Sequence, residues 1–156
     1  MTRTLRPLAA ALLAVAAVGA AQAGEISNTE IHANRAENFA NSGGARPTQE
    51  IGVVEGAGRI LRSRVYANDA KNHGASIAGV AQQRIGFARG GTMDNVTVSA
   101  QGAFNQSTAK WSNAYQSIGG VEGGSMTNVS IFANNATNRA TQDRSEARQS
   151  IGVVRR

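Results

Sequence analysis

The stretch Gln116-Ser117-Ile118-Gly119 returns as Gln149-Ser150-Ile151-Gly152, and two looser copies, Gln49-Glu50-Ile51-Gly52 and Gln83-Arg84-Ile85-Gly86, precede them. The four glutamines lie 34, 33 and 33 residues apart. A second signature, Ala-x-x-Ala-x-Asn, keeps the same step at Ala33–Asn38, Ala67–Asn72, Ala100–Asn105 and Ala133–Asn138, each opening 16 residues before its glutamine. Two signatures held in phase through four copies mark an internal repeat. The one extra residue falls between Gly52 and Ala67, which places it in a turn. The units run 27–58, 59–92, 93–125 and 126–156 and fill residues 24–156 as one domain. An active site is needed once; a pattern repeated four times describes a scaffold.

Within a unit the apolar period is two. Val96, Val98 and Ala100 alternate in the third copy, and Val129, Ile131 and Ala133 in the fourth. Such alternation predicts a strand with one buried face. The paired alanines stand three apart, so a bend or bulge is expected between them. A second strand follows, in which Ala114, Gln116 and Ile118 alternate before Gly119, and Val121 resumes one residue out of step. Glycine-rich turns at Glu55–Gly58, Arg89–Thr92 and Glu122–Ser125 close the units. A helix is conceivable over Ala140–Gln149, but the counterparts Asn41–Gln49 and Gly74–Gln83 are poor helix formers. A single unit of this length cannot bury its own apolar face, whereas a stack can. The expected fold is all-β: a β-solenoid of four stacked strand-turn-strand repeats of about 33 residues.

Stacking gives the repeated residues a physical role. Equivalent positions lie one strand spacing apart, about 4.8 Å. Gln49, Gln83, Gln116 and Gln149 then form one polar column, and Asn38, Asn72, Asn105 and Asn138 another. Each carboxamide both donates and accepts, so it can bond the copies above and below and remain buried. Ile51, Ile85, Ile118 and Ile151 supply the apolar column beside them. The alanines allow neighbouring strand layers to approach closely.

Composition narrows the function classes. Residues 1–23 have a basic start with Arg3 and Arg6, an apolar run from Leu8 to Val18 and an Ala21-Gln22-Ala23 end, the pattern of a secretory signal peptide cleaved before Gly24. Its removal takes the net charge from +6 to +4. No arginine-rich run is interleaved with aromatics, which argues against nucleic acid as a partner. An acidic polysaccharide remains compatible with the mild basic charge. Cysteine is absent and the aromatics are only seven, Phe39, Tyr66, Phe87, Phe104, Trp111, Tyr115 and Phe132. Neither disulfides nor a bulky core is therefore on offer. His32 and His73 sit in different units with no nucleophile motif, so no enzyme, metal site or cofactor is expected. Three residues, Gly24–Ile26, precede the first unit and the last closes on Val153-Val154-Arg155-Arg156. That is too little to cover a rung, and uncovered edges favour head-to-tail growth. The end-unit charges Glu30, Arg35, Glu37, Asp143, Arg144, Glu146, Arg155 and Arg156 can act as gatekeepers against it.

A leader, no cysteine and four Asn-, Gln-, Ala- and Gly-rich repeats together resemble curlin, the subunit of curli-type functional amyloid. Asn38-x-Ala40 and Asn138-x-Ala140 match the curlin Asn-x-Ala, and Gln49, Gln83, Gln116 and Gln149 match its closing glutamine. Asn72 and Asn105 are instead followed by Gly74 and Ser107, and the step from Asn to Gln is longer than in curlin, which implies a longer rung. The resemblance implies export through an outer-membrane secretion pore and polymerisation with copies of itself outside the cell. It also implies a nucleator subunit and a role in surface adhesion or biofilm matrix. The competing expectation is a surface β-solenoid that does not polymerise and binds a glycan or anchors an adhesive polymer.

Overall fold

The computed structural model describes residues 24–41, 44–75 and 77–155. The signal peptide expected over residues 1–23, and the gatekeeper Arg156, lie outside the described residues. The chain is all-β and winds into four coils of roughly 33 residues. Coil one contains β1 (Glu25–Ser27), β2 (Glu30–Asn34), β3 (Glu37–Ala40) and β4 (Thr48–Val54). Coil two repeats them as β5 (Arg59–Leu61), β6 (Arg64–Asn68), β7 (Lys71–Gly74) and β8 (Val80–Arg89). Coil three has β9 (Thr92–Asp94), β10 (Thr97–Gln101), β11 (Phe104–Ser107) and β12 (Asn113–Glu122). Coil four has β13 (Ser125–Thr127), β14 (Ser130–Asn134), β15 (Thr137–Ala140) and β16 (Glu146–Arg155).

Each strand pairs in parallel with its counterpart in the next coil, which gives four four-stranded sheets running along the solenoid axis. The register is strict: Val98 lies against Val65 and Ile131, and Gln116 against Gln83 and Gln149. Parallel sheets with strict stacking bury their inner faces completely in the middle of the pile. Ile60, Val65, Ala67, Ala70, Ile85, Val98 and Ile118 are wholly shielded from solvent, and Met93, Val96, Ala100 and Val121 almost wholly.

Each coil thus has four strands, twice the number that the alternation displays. The additional corners are made by single residues in the left-handed region. Asn28, Arg62, Asn95 and Asn128 turn the chain between its first and second strands at φ of 46° to 54°. Arg35, Asp69, Gly102 and Asn135 turn it again between the second and third. That second corner lies between the paired alanines, so Ala67 and Ala70 both face inward on either side of it. Asparagine and aspartate tolerate this backbone region better than most residues.

Candidate functional site

The Gln-x-Ile-Gly segment lies in the long last strand of each coil. Gln and Ile point inward, and the intervening Glu50, Arg84, Ser117 or Ser150 points outward. The glycine then adopts φ of 57° to 65° and drops out of the pairing ladder. This one-residue bulge restores an inward direction to Val54, Ala88, Val121 and Val154, which explains the out-of-step valine. Space demands glycine as strongly as dihedral angle does. A Cβ on Gly52, Gly86 or Gly119 would lie 2.7, 2.5 and 2.5 Å from Val65, Val98 and Ile131 of the following coil.

Two carboxamide ladders run the length of the pile. Gln149 Nε2 donates to Gln116 Oε1, Gln116 to Gln83, and Gln83 to Gln49, at 2.5 to 2.7 Å. The asparagine ladder runs the opposite way: Asn38 Nδ2 donates to Asn72 Oδ1, Asn72 to Asn105, and Asn105 to Asn138, at 2.8 to 3.0 Å. Each amide also braces the coil across its interior. Gln83 Nε2 reaches Ala70 O at the second corner, and Asn72 Nδ2 reaches Gln82 O on the long strand opposite. Buried polar side chains are thereby satisfied in both directions.

Charges decorate the outside in register. Glu25, Glu30, Glu37 and Glu50 of coil one face Arg59, Arg64, Lys71 and Arg84 of coil two, with contacts of 2.7 to 3.0 Å. A further column alternates through all four coils: Glu55 meets Arg89, Arg89 meets Glu122, and Glu122 is in register with Arg155. Whole coils alternate in the same way. Residues 24–58 have five glutamates against Arg35 and Arg46, a net −3. Residues 59–91 have six cations against Asp69, +5; residues 92–124 have Lys110 against Asp94 and Glu122, −1. Residues 125–156 have five arginines against Asp143 and Glu146, +3.

The candidate functional site is the pair of end faces, coil one and coil four, whose strands each have a neighbour on one side only among the described residues. On coil four, Ile151 and Val154 are 44% and 45% exposed, against 0% and 1% for Ile118 and Val121 in the same positions of coil three. Among the described residues no donor reaches Gln149 Oε1, the acceptor at this end of the glutamine ladder. At the other end, among the described residues, Asn38 Oδ1 is the open acceptor of the asparagine ladder. In one outward column His32 stacks on Tyr66 at 4.7 Å, Ser99 follows in coil three, and Phe132 of coil four is exposed.

No protein-family model, no curated protein and no solved structure matches this chain.

The other features of the surface are quieter. His32 contacts Glu30, and His73 contacts Thr108 from a different sheet, so the two histidines do not form one site. Among the described residues no three His, Cys, Asp or Glu side chains converge as metal ligands. A groove of about 210 Å³ crosses the outer face of the long-strand sheet, where Gly120 replaces the Val53, Phe87 and Val153 of its column. Arg84, Arg89, Arg148 and Arg155 line it, but Glu50, Glu55, Glu122 and Glu146 engage the first three. The charge columns and the groove both escape a sequence reading. Aligning the four units by their glutamines, with attention to the outward positions, is the signal that exposes them.

Proposed function

We propose that this protein is a secreted structural subunit that self-assembles into curli-like amyloid fibres for surface adhesion or biofilm matrix. The observation that carries this reading is the state of the end faces. Inner coils are buried by their neighbours on both sides; coil four presents the same positions with one side open, and coil one leaves Ile26 and Ile31 partly open while its Ile51 and Val54 stay buried. A sheet edge of this kind templates pairing with another chain. A solenoid with two such edges grows without closing. The leader-like residues 1–23 and the absence of cysteine support export to the cell surface, and the curlin resemblance supports a secretion pore and a nucleator as partners.

The test is direct. Concentrated purified protein should convert, after a lag that preformed seeds shorten, into unbranched fibres under negative stain. These should bind thioflavin and diffract at the strand spacing of about 4.8 Å along the fibre axis. A monomer that persists unchanged in light scattering under the same conditions sinks the proposal.

A further inference from the structure

We propose that the end faces are charge-coded, so that coil four of one copy accepts only coil one of another and the resulting stack has a single polarity. This inference rests on the fibre reading and specifies the contact that builds the fibre. Coil charges alternate as −3, +5, −1 and +3, and placing coil one of a second copy after coil four continues the sequence with −3. Either symmetric junction, coil one on coil one or coil four on coil four, brings together two faces of like net charge. Like charges directly opposed across paired strands are destabilising, and opposite charges stabilise.

One residue column agrees with the coil totals, while Glu25, Glu30, Glu37 and Glu50 of the second copy would meet the uncharged Ser125, Ser130, Thr137 and Ser150. The column Glu55, Arg89, Glu122, Arg155 ends on a cation, and the second copy's Glu55 is the next in order. Within the chain Arg155 has only the Ser150 hydroxyl as a hydrogen-bond acceptor among the described residues, so its guanidinium has donors left for that carboxylate. The ladders agree too. Gln149 Oε1 offers an acceptor to the second copy's Gln49 Nε2, which within its own chain donates to Ala36 O and Lys71 O, and so extends the glutamine row in its existing sense. The second copy's Asn38 Oδ1 offers the same to Asn138 Nδ2. Reversing either copy points donors at donors or breaks the parallel register.

Ser130 and Thr137 make the test clean. Both are exposed, and their in-register neighbours in coil three, Thr97 and Phe104, are uncharged. In the proposed junction they face Glu30 and Glu37 of the second copy. Two matched double variants, Ser130→Arg with Thr137→Lys and Ser130→Glu with Thr137→Glu, are compared in seeded elongation at low salt, each with a thermal melt of the unassembled protein as a folding control. The basic pair should elongate faster than wild type and the acidic pair slower, by about fivefold each way. A reversed order points to coil four meeting coil four and overturns the proposal, as do equal rates. Wild-type protein supplies an independent measurement should a variant fold poorly. Added salt should slow its elongation if the junction joins opposite charges, and acceleration by salt overturns the proposal. Fibres that grow with the wrong sign leave the fibre reading standing and remove the junction. Wild-type protein that never elongates removes both.

Discussion

Coils three and four share the same inward-facing pattern, yet they occupy different physical states. Ile118 is inaccessible and Ile151 is nearly half exposed, although both stand in a Gln-Ser-Ile-Gly segment and share a strand pair. The difference is the coil above. In a solenoid, burial is conferred by the neighbour, and stability is approximately a sum over coil-to-coil interfaces. Four coils in one chain have three such interfaces, and a junction between chains adds one of the same kind. The residues of coil four should therefore be energetically modest in the isolated protein and decisive in assembly.

The sharpest way to break this comparison is to substitute one glycine in each coil. Gly119→Ala places a methyl group 2.5 Å from Ile131 on a backbone at φ of 58°, so strain and overpacking add to a loss of about 4 kcal/mol. Gly152→Ala has the same backbone strain with its nearest contact at 3.4 Å, and should cost only about 1 kcal/mol in the unassembled protein. Its effect should appear in elongation, where a second copy's Ile31 arrives over the methyl group. Chemical denaturation of both variants, followed by seeding, measures the two quantities. Equal destabilisation of the monomer would contradict the neighbour argument.

The glutamine ladder gives a second, smaller contrast. Gln116→Ala removes two ladder bonds and the bond to Ala103 O, leaving Gln83 Oε1 buried without its donor. A loss of about 3 kcal/mol is expected. Gln149→Ala removes one ladder bond at a partly open site and should lower stability by about 1 kcal/mol while slowing elongation. If fibres of Gln149→Ala grow and resist denaturant as wild type does, the ladder does not bridge copies.

The same alignment shows why part of the structure was legible in the sequence and part was not. Period, stacking and the out-of-step valine were visible because Gln, Ile and Gly are chemically distinct and face a crowded interior that tolerates little else. The four-strand coil was hidden. Its first strand has three residues with one inward side chain, Ile26, Ile60, Met93 or Met126, too short for alternation to register. Its first corner is turned by Asn28, Arg62, Asn95 and Asn128 in place of glycine or proline, so the usual punctuation is missing. The outward charge columns are visible only once the register is known, since Glu30 and Arg64 are 34 residues apart.

Two finer contrasts follow. Ser107 lies in a column of Ala40, Gly74 and Ala140, and its hydroxyl is buried with no hydrogen-bond partner among the described residues. Ser107→Ala should raise stability by up to about 1 kcal/mol, read as a higher denaturation midpoint. A lower midpoint would mean that the hydroxyl is satisfied by solvent. The smallest effect concerns the outer face of coil one. The hydrogen bond from Arg64, and then that from His32, holds the Glu30 carboxyl below its ordinary value. A carboxylate depressed in the folded state contributes stability above its unfolded pKa, and the contribution is lost as pH falls through the folded value. Glu30→Gln should therefore flatten the acid limb of a stability-versus-pH curve slightly and leave neutral pH almost unchanged, because the pair is exposed. An unaltered acid limb would remove Glu30 from the account.

The opposed senses of the two carboxamide rows have a consequence for length. A row of amides that all point one way accumulates an axial dipole, as the peptide units of a helix do. Here the moment that each coil adds through its asparagine is countered by the moment it adds through its glutamine, since one row donates toward coil four and the other toward coil one. However many coils are piled up, the paired rows contribute little net moment along the axis. A long stack can thus lie beside another in either direction without an electrostatic preference from its own core, and the choice of lateral neighbour passes to the charged outer faces.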